Sequence, residues 1–184
     1  MFRQTAKSSA LLRRRFARDE RGATVIEFAL LALPFFTIIA GILQTSVMFL
    51  TSQVLESAVQ DASRAIRTGQ AQPSTQSLEA FRTEICGRTY GLIGDCAGLH
   101  IRVTEVNNFA SAGVSLPVDL NCTDDCAWSA SEAWTTGAGK SVILVQVYFK
   151  YPVIIQLGPF GLANLPDGTR LMGAATVFKN EPYT

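Results

Sequence analysis

The chain is poor in the groups that carry enzyme chemistry. His100 is the one histidine among 184 residues. There is no nucleophile elbow, no phosphate-binding loop and no acidic pair at a recognisable spacing. Ser and Asp are plentiful but form no constellation. Cysteine is absent before Cys86, charge is almost absent between Ala23 and Leu50, and no internal repeat is evident. The expectation is therefore a protein that is not an enzyme and holds no cofactor. Charge of one sign is also missing overall: 16 basic residues stand against 15 acidic ones. Such a balance indicates neither a nucleic-acid binder nor an acidic-surface protein.

The balance conceals an asymmetry. Before Gly22 there are seven basic residues (Arg3, Lys7, Arg13, Arg14, Arg15, Arg18 and Arg21) and two acidic ones, Asp19 and Glu20. The remainder of the chain is net acidic. A basic head beside an apolar run marks the cytoplasmic flank of a membrane span. A basic arm for RNA or DNA is the rival reading, and the adjoining apolar segment speaks against it.

That segment, Ala23 to Leu50, reads ATVIEFALLALPFFTIIAGILQTSVMFL, with Glu27 as its only charge. As a helix it is about 42 Å long, more than the roughly 30 Å of a hydrocarbon core. Apolar residues lie on every side, unlike an ordinary one-faced surface helix. A buried core helix of a soluble protein is the alternative, but the remaining chain is too small to wrap it. A cleaved secretory signal would be shorter and would end at a small-residue site. This run passes unbroken into an amphipathic helix, so the anchor is expected to be retained.

After Leu50 the apolar residues become one-sided. Val54, Leu55, Ala58, Val59, Ala62, Ala65 and Ile66 recur at helical spacing, with polar residues between them. Thr68-Gly69 supplies the stop. Gln70 to Gln76, with Pro73, reads as a polar connector, and Ser77 as the N-cap of a short helix over Leu78 to Cys86. The period then changes to two. Leu99 to Val106 alternates apolar and polar, Val142 to Tyr151 is rich in β-branched and aromatic residues, and Ala174 to Lys179 offers a third strand. Loops are expected at Phe109 to Pro117 and Leu157 to Gly168. The fold class is α+β, a long N-terminal helix packed on a small, mostly antiparallel sheet.

Four cysteines, Cys86, Cys96, Cys122 and Cys126, all follow the span. An even count in a small extracytoplasmic domain points to two disulfides. Three connectivities are open, and sequence proximity favours Cys86–Cys96 with Cys122–Cys126. Each such loop adds about 2–3 kcal/mol through the unfolded state. A zinc site is the alternative, disfavoured by the single histidine and the lack of paired C-x-x-C spacing. A redox-active dithiol is no better supported, since three residues separate Cys122 from Cys126.

The junction at Arg18-Asp19-Glu20-Arg21-Gly22-Ala23-Thr24-Val25-Ile26-Glu27-Phe28 is the most informative stretch. A glycine stands at the edge of the charged head, and five residues on an acid lies inside the apolar run, followed by an aromatic. A lone carboxylate there costs about 2.5 kcal/mol or more in lipid; the plain alternative is a Glu that snorkels to the headgroups. Glycine, four residues, then Glu-Phe resembles the processing site of type IV prepilin-like proteins. The resemblance implies cleavage between Gly22 and Ala23 by a membrane prepilin peptidase, a site that glycine lets the backbone enter closely. It also implies pairing of Glu27 with the freed amine of a neighbouring subunit. Arg21 to Leu30, then Leu33-Pro34 and Gly41, resembles the TadE-like proteins of tight-adherence (Flp) pilus systems. So do Ala62-Ser63-Arg64-Ala65-Ile66-Arg67-Thr68-Gly69-Gln70 and the closing Asn180-Glu181-Pro182-Tyr183.

That family implies a minor pilin, or pseudopilin, in the bacterial inner membrane. Its expected parts are a basic cytoplasmic leader over 1–22, a transmembrane helix over 23–50, an amphipathic extension over 51–69 and a periplasmic domain over 70–184. The implied partners are the prepilin peptidase, other pilin subunits, the inner-membrane assembly platform and the lipid bilayer. Nucleic acid is not among them. Incorporation into an extracellular pilus, and adhesion by it, follow from the same resemblance. Pro34 removes one helical hydrogen bond and can kink the span, either merely tolerated or shaping subunit packing. Thr37, Gly41, Thr45 and Ser46 are small or hydroxylated positions of the kind found where membrane helices meet. An unprocessed single-span envelope protein, whose external domain scaffolds or binds another component, is the second reading.

Overall fold

The computed structural model describes residues 22–71, 76–123, 125–156 and 161–183. The basic leader before Gly22, the connector around Pro73 and residues 157–160 of the expected loop lie outside the described residues. The elements are α1 (Ala23–Arg67), α2 (Leu78–Gly87), β1 (His100–Val106), β2 (Ala133–Trp134), β3 (Val142–Pro152) and β4 (Thr169–Lys179). The chain divides into two compact units, the first ending at Leu43 and the second beginning at Gln44.

In the first unit, α1 is helical from Ala23 onward and runs through Pro34 without interruption. In the second, the same helix buries one stripe. Met48, Thr51, Leu55, Ala58, Val59, Ala62 and Ile66 recur every three or four residues and are all buried. The last turn of the Ala23–Leu50 run is thus already packed into the globular unit. The helix stops where Gly69 adopts φ +78°. The Gly69 N–H donates to the Ile66 carbonyl (3.1 Å) and the Gln70 N–H to the Ala65 carbonyl (2.9 Å), a Schellman end.

The sheet order is β2-β1-β3-β4, with β1–β3 and β3–β4 antiparallel and β1–β2 parallel. Ile143, Val145, Val147 and Phe149 of β3 join Ile101 and Val103 of β1 and the α1 stripe in one core. The opposite face of β3 is also buried, through Leu144, Gln146 and Tyr148. The Tyr148 hydroxyl donates to the Ser115 carbonyl (3.1 Å) and accepts from the Gln146 amide (3.2 Å), tying the long β1–β2 connection across that face. β4 starts at Thr169, five residues before the expected Ala174. A turn at Gly168, φ +79°, reverses the chain there, and the half-exposed first residues of an edge strand carry little apolar signal. β2 is two residues long and falls below any periodicity. Trp134 explains it: the indole packs on Phe81 (centroids 5.0 Å) and donates to the Gln76 carbonyl (3.0 Å).

Ser77 caps α2, its Oγ accepting the Ala80 N–H at 3.1 Å. Arg82, buried on this helix, is held by Glu132 at 2.7 and 2.9 Å, by Glu79 at 3.1 Å and by the Leu99 carbonyl. Glu132 also accepts the Ile101 N–H (2.9 Å), so one guanidinium–carboxylate pair joins α2, β1 and the approach to β2. Burial pulls the Arg82 pKa down, but the hydrogen bonds and charges of Glu79 and Glu132 outweigh it and raise the pKa. Cys86 is paired with Cys96 (Cα–Cα 5.8 Å), pinning the end of α2, and Cys122 with Cys126 (5.2 Å).

The C-terminal residues return to the end of α1. The Glu181 N–H donates to the Arg67 carbonyl (2.9 Å), one of the helix's terminal acceptors. Buried Asn180 donates through Nδ2 to the carbonyls of Thr136 (2.8 Å) and Ala138 (3.0 Å) and to the Tyr183 hydroxyl (2.7 Å). The Tyr183 ring lies so close over Gly69 that a Cβ there would approach it to 2.6 Å. Gly69→Ala therefore meets both a disfavoured backbone region and a steric block. It should cost about 1–3 kcal/mol, read as a lowered thermal midpoint of the micelle-solubilised chain by near-UV circular dichroism.

Candidate assembly helix

The first turns of α1 carry the junction residues. Gly22 sits in a tight turn immediately before the helix and is exposed. A Cβ added to it would meet nothing within 4 Å, so the described fold sets no steric demand for glycine there. Ala23 opens the helix. Glu27 is exposed and has no ion-pair partner among the described residues. Its helical neighbours one turn on, Leu30 and Leu31, are apolar and exposed.

The rest of this stretch presents a continuous apolar surface. Phe28 is 69% exposed and Leu33 73%, and Val25, Ile26, Phe35, Phe36, Ile38, Ile42 and Leu43 are likewise open. The helix from Thr24 onward includes a window of mean hydropathy 2.3, none of it buried, and is long and apolar enough to cross a membrane. A monomer in water does not keep so large an apolar patch uncovered. The surface requires an apolar surrounding: lipid, neighbouring helices or both. Near Pro34, which offers no N–H to the Leu30 carbonyl, the Thr37 hydroxyl donates to the Leu33 carbonyl at 2.8 Å.

Among the described residues no group of three or more His, Cys, Asp or Glu could hold a metal ion. His100 is instead a core residue, stacked on Trp128 with centroids 4.5 Å apart. Lys150 Nζ lies 4.8 Å from the same indole and donates to the Cys126 carbonyl. The Cys122–Cys126 loop thereby packs beside β1 and β3. Sequence reasoning missed this stack, the Arg82–Glu132 pair and Gln44. The one visible signal was at Gln44, an amide inside a long apolar run.

The chain is thus an α+β protein with one long apolar N-terminal helix and a small, largely antiparallel sheet. The family model described as TadE-like protein matches residues 22–64, from the junction glycine to the last turn of α1. Residues 22–64 are thus similar to a TadE-like protein. No curated protein and no solved structure matches the chain.

Burial lowers the His100 pKa; Glu132 raises it, Arg102 and Arg82 lower it, and a hydrogen bond to the Ala130 backbone raises it. The folded state therefore takes up this proton at lower pH than the unfolded chain, whose histidine titrates near about 6.5. Stability from the neutral ring is complete above that pH and declines as pH falls below it. The thermal midpoint should be lower at pH 5.5 than at 7.5. His100→Phe, which keeps a ring on Trp128, should flatten this part of the dependence.

Proposed function

We propose that this chain is a minor pilin, or pseudopilin, that takes part in assembling a tight-adherence (Flp) pilus after cleavage between Gly22 and Ala23. The observation that carries the reading is a lone exposed carboxylate, Glu27, on an uncovered apolar helix, five residues after a glycine the fold does not need. Processing would leave Ala23 as the new N-terminus. Its amine and the Glu27 carboxylate are both costly in lipid, and a pair formed between neighbouring subunits relieves both. Phe28 and the exposed apolar residues beyond it then serve as the packing surface between subunits.

The basic head sets the N-terminus on the cytoplasmic side of the inner membrane by the positive-inside rule. The globular unit then lies in the periplasm, where its two disulfides persist. The partners are the prepilin peptidase, other pilin subunits and the inner-membrane assembly platform. Pro34 and Gly41 shape how the helix meets its neighbours.

Intact mass or N-terminal sequencing of protein from cells with the cognate peptidase should give Ala23 as the first residue. Gly22→Val should leave the full leader attached. An intact leader on the wild-type chain in such cells would instead support an unprocessed envelope protein. Glu27→Ala should be cleaved almost normally yet lower surface pili by an order of magnitude or more, counted by electron microscopy; normal piliation would overturn the pairing role.

A further inference from the structure

Gln44 is the first residue of the globular unit, and its side chain is fully engaged. Its Oε1 accepts the Ile155 N–H at 2.7 Å, and its Nε2 donates to the Ile155 carbonyl at 3.3 Å. Both ends of one amide grip one backbone residue. The segment after β3 is therefore held at the level of Gln44. Within that segment Val153 is buried, and Ile154 between them is 86% exposed. Pro152 to Gln156 contains no charge. A β-branched aliphatic side chain held outward on an anchored, uncharged loop has no role in the core.

The position of this loop along α1 gives it a partner. From Ala23 to Leu43 the helix is about 31 Å long, close to the roughly 30 Å of a hydrocarbon core. Counting from the junction, the hydrocarbon ends where the globular unit begins, at Gln44. Ile154 is thus held beside the residue at which this hydrocarbon-length stretch of α1 ends. Val47, Phe49 and Leu50, within two turns of Gln44, are also apolar and exposed. Farther along, α1 presents Glu56, Gln60, Asp61 and Arg64 to solvent. The exposed apolar residues of the globular unit's helix are confined to its first turns.

We infer that the Ile154 loop is a bilayer contact: it inserts at the interface of the membrane that α1 crosses, and the Gln44–Ile155 clamp sets its depth. This rests on the reading of α1 as a membrane span.

The test uses the full chain in vesicles of phosphatidylethanolamine and phosphatidylglycerol. Single cysteines replace Ile154, Tyr90 and Phe36, each labelled with an environment-sensitive fluorophore; the native cysteines are paired and do not react. Tyr90 matches Ile154 in exposure, at 86%. It follows Arg88, which pairs with Asp61 at 3.7 Å, and Asp61 lies about 25 Å along the helix from Gln44. The Ile154→Cys label should be quenched several-fold more than the Tyr90→Cys label by nitroxides on the upper acyl chain. Iodide should quench the Tyr90→Cys label strongly and the Ile154→Cys label weakly. The Phe36→Cys label should respond to lipid nitroxides alone. If the Phe36→Cys label does so while Ile154→Cys behaves like Tyr90→Cys, the span stands and the loop contact is overturned. A Phe36→Cys label untouched by lipid nitroxides overturns both. An Ile154→Cys label shielded from both quenchers, increasingly so at higher protein-to-lipid ratio, assigns the loop to a second subunit and overturns the lipid contact.

Discussion

One helix has to satisfy two surroundings, and this constraint organises the molecule. Up to Leu43 the helix is apolar on all sides and its side chains are open. From Gln44 onward it buries a single stripe against the sheet, and beyond Leu50 it turns polar residues outward. β3 supplies the face that the stripe packs on, and the amide of Gln44 holds the chain leaving β3.

The helix is also where sequence and structure agree most closely. Its start at Ala23, the one-sided pattern after Leu50 and the stop at Gly69 were all legible, because periodicity and glycine's backbone freedom are local properties. The same holds for the Ser77 cap and for β1 and β3. What could not be read depends on partners distant in sequence. Glu132 is an unremarkable acid in a loop until α2 places Arg82 against it. His100 is a lone histidine with no legible role until Trp128 stacks on its ring. β2 exists because Trp134 has a pocket beside Phe81, a fact of tertiary packing. Of the candidate site, the order of residues from Gly22 to Phe28 was plain. That Gly22 has no steric reason within the fold required coordinates.

The globular unit is small, and its core is reinforced by polar and covalent ties placed at different points. The Cys86–Cys96 bond closes the end of α2 onto the approach to β1. The Arg82–Glu132 pair fixes the other side of α2 to the β1–β2 edge. The Cys122–Cys126 loop belongs to a second, smaller apolar cluster with Val118 and Leu165. Such distribution suits a domain whose sheet is covered on one face by α1 and α2 and on the other by loops.

The return of the C-terminus to the end of α1 has a mechanical meaning. Any pull on the helix is opposed at its far end by the Glu181–Arg67 hydrogen bond and by Tyr183 seated over Gly69. Asn180 ties that end to the carbonyls of Thr136 and Ala138, and β4 is joined to β3 through a long antiparallel ladder. The end of the helix is thus fastened to the sheet as a whole, so a load reaching it would be shared among strands rather than borne by one contact.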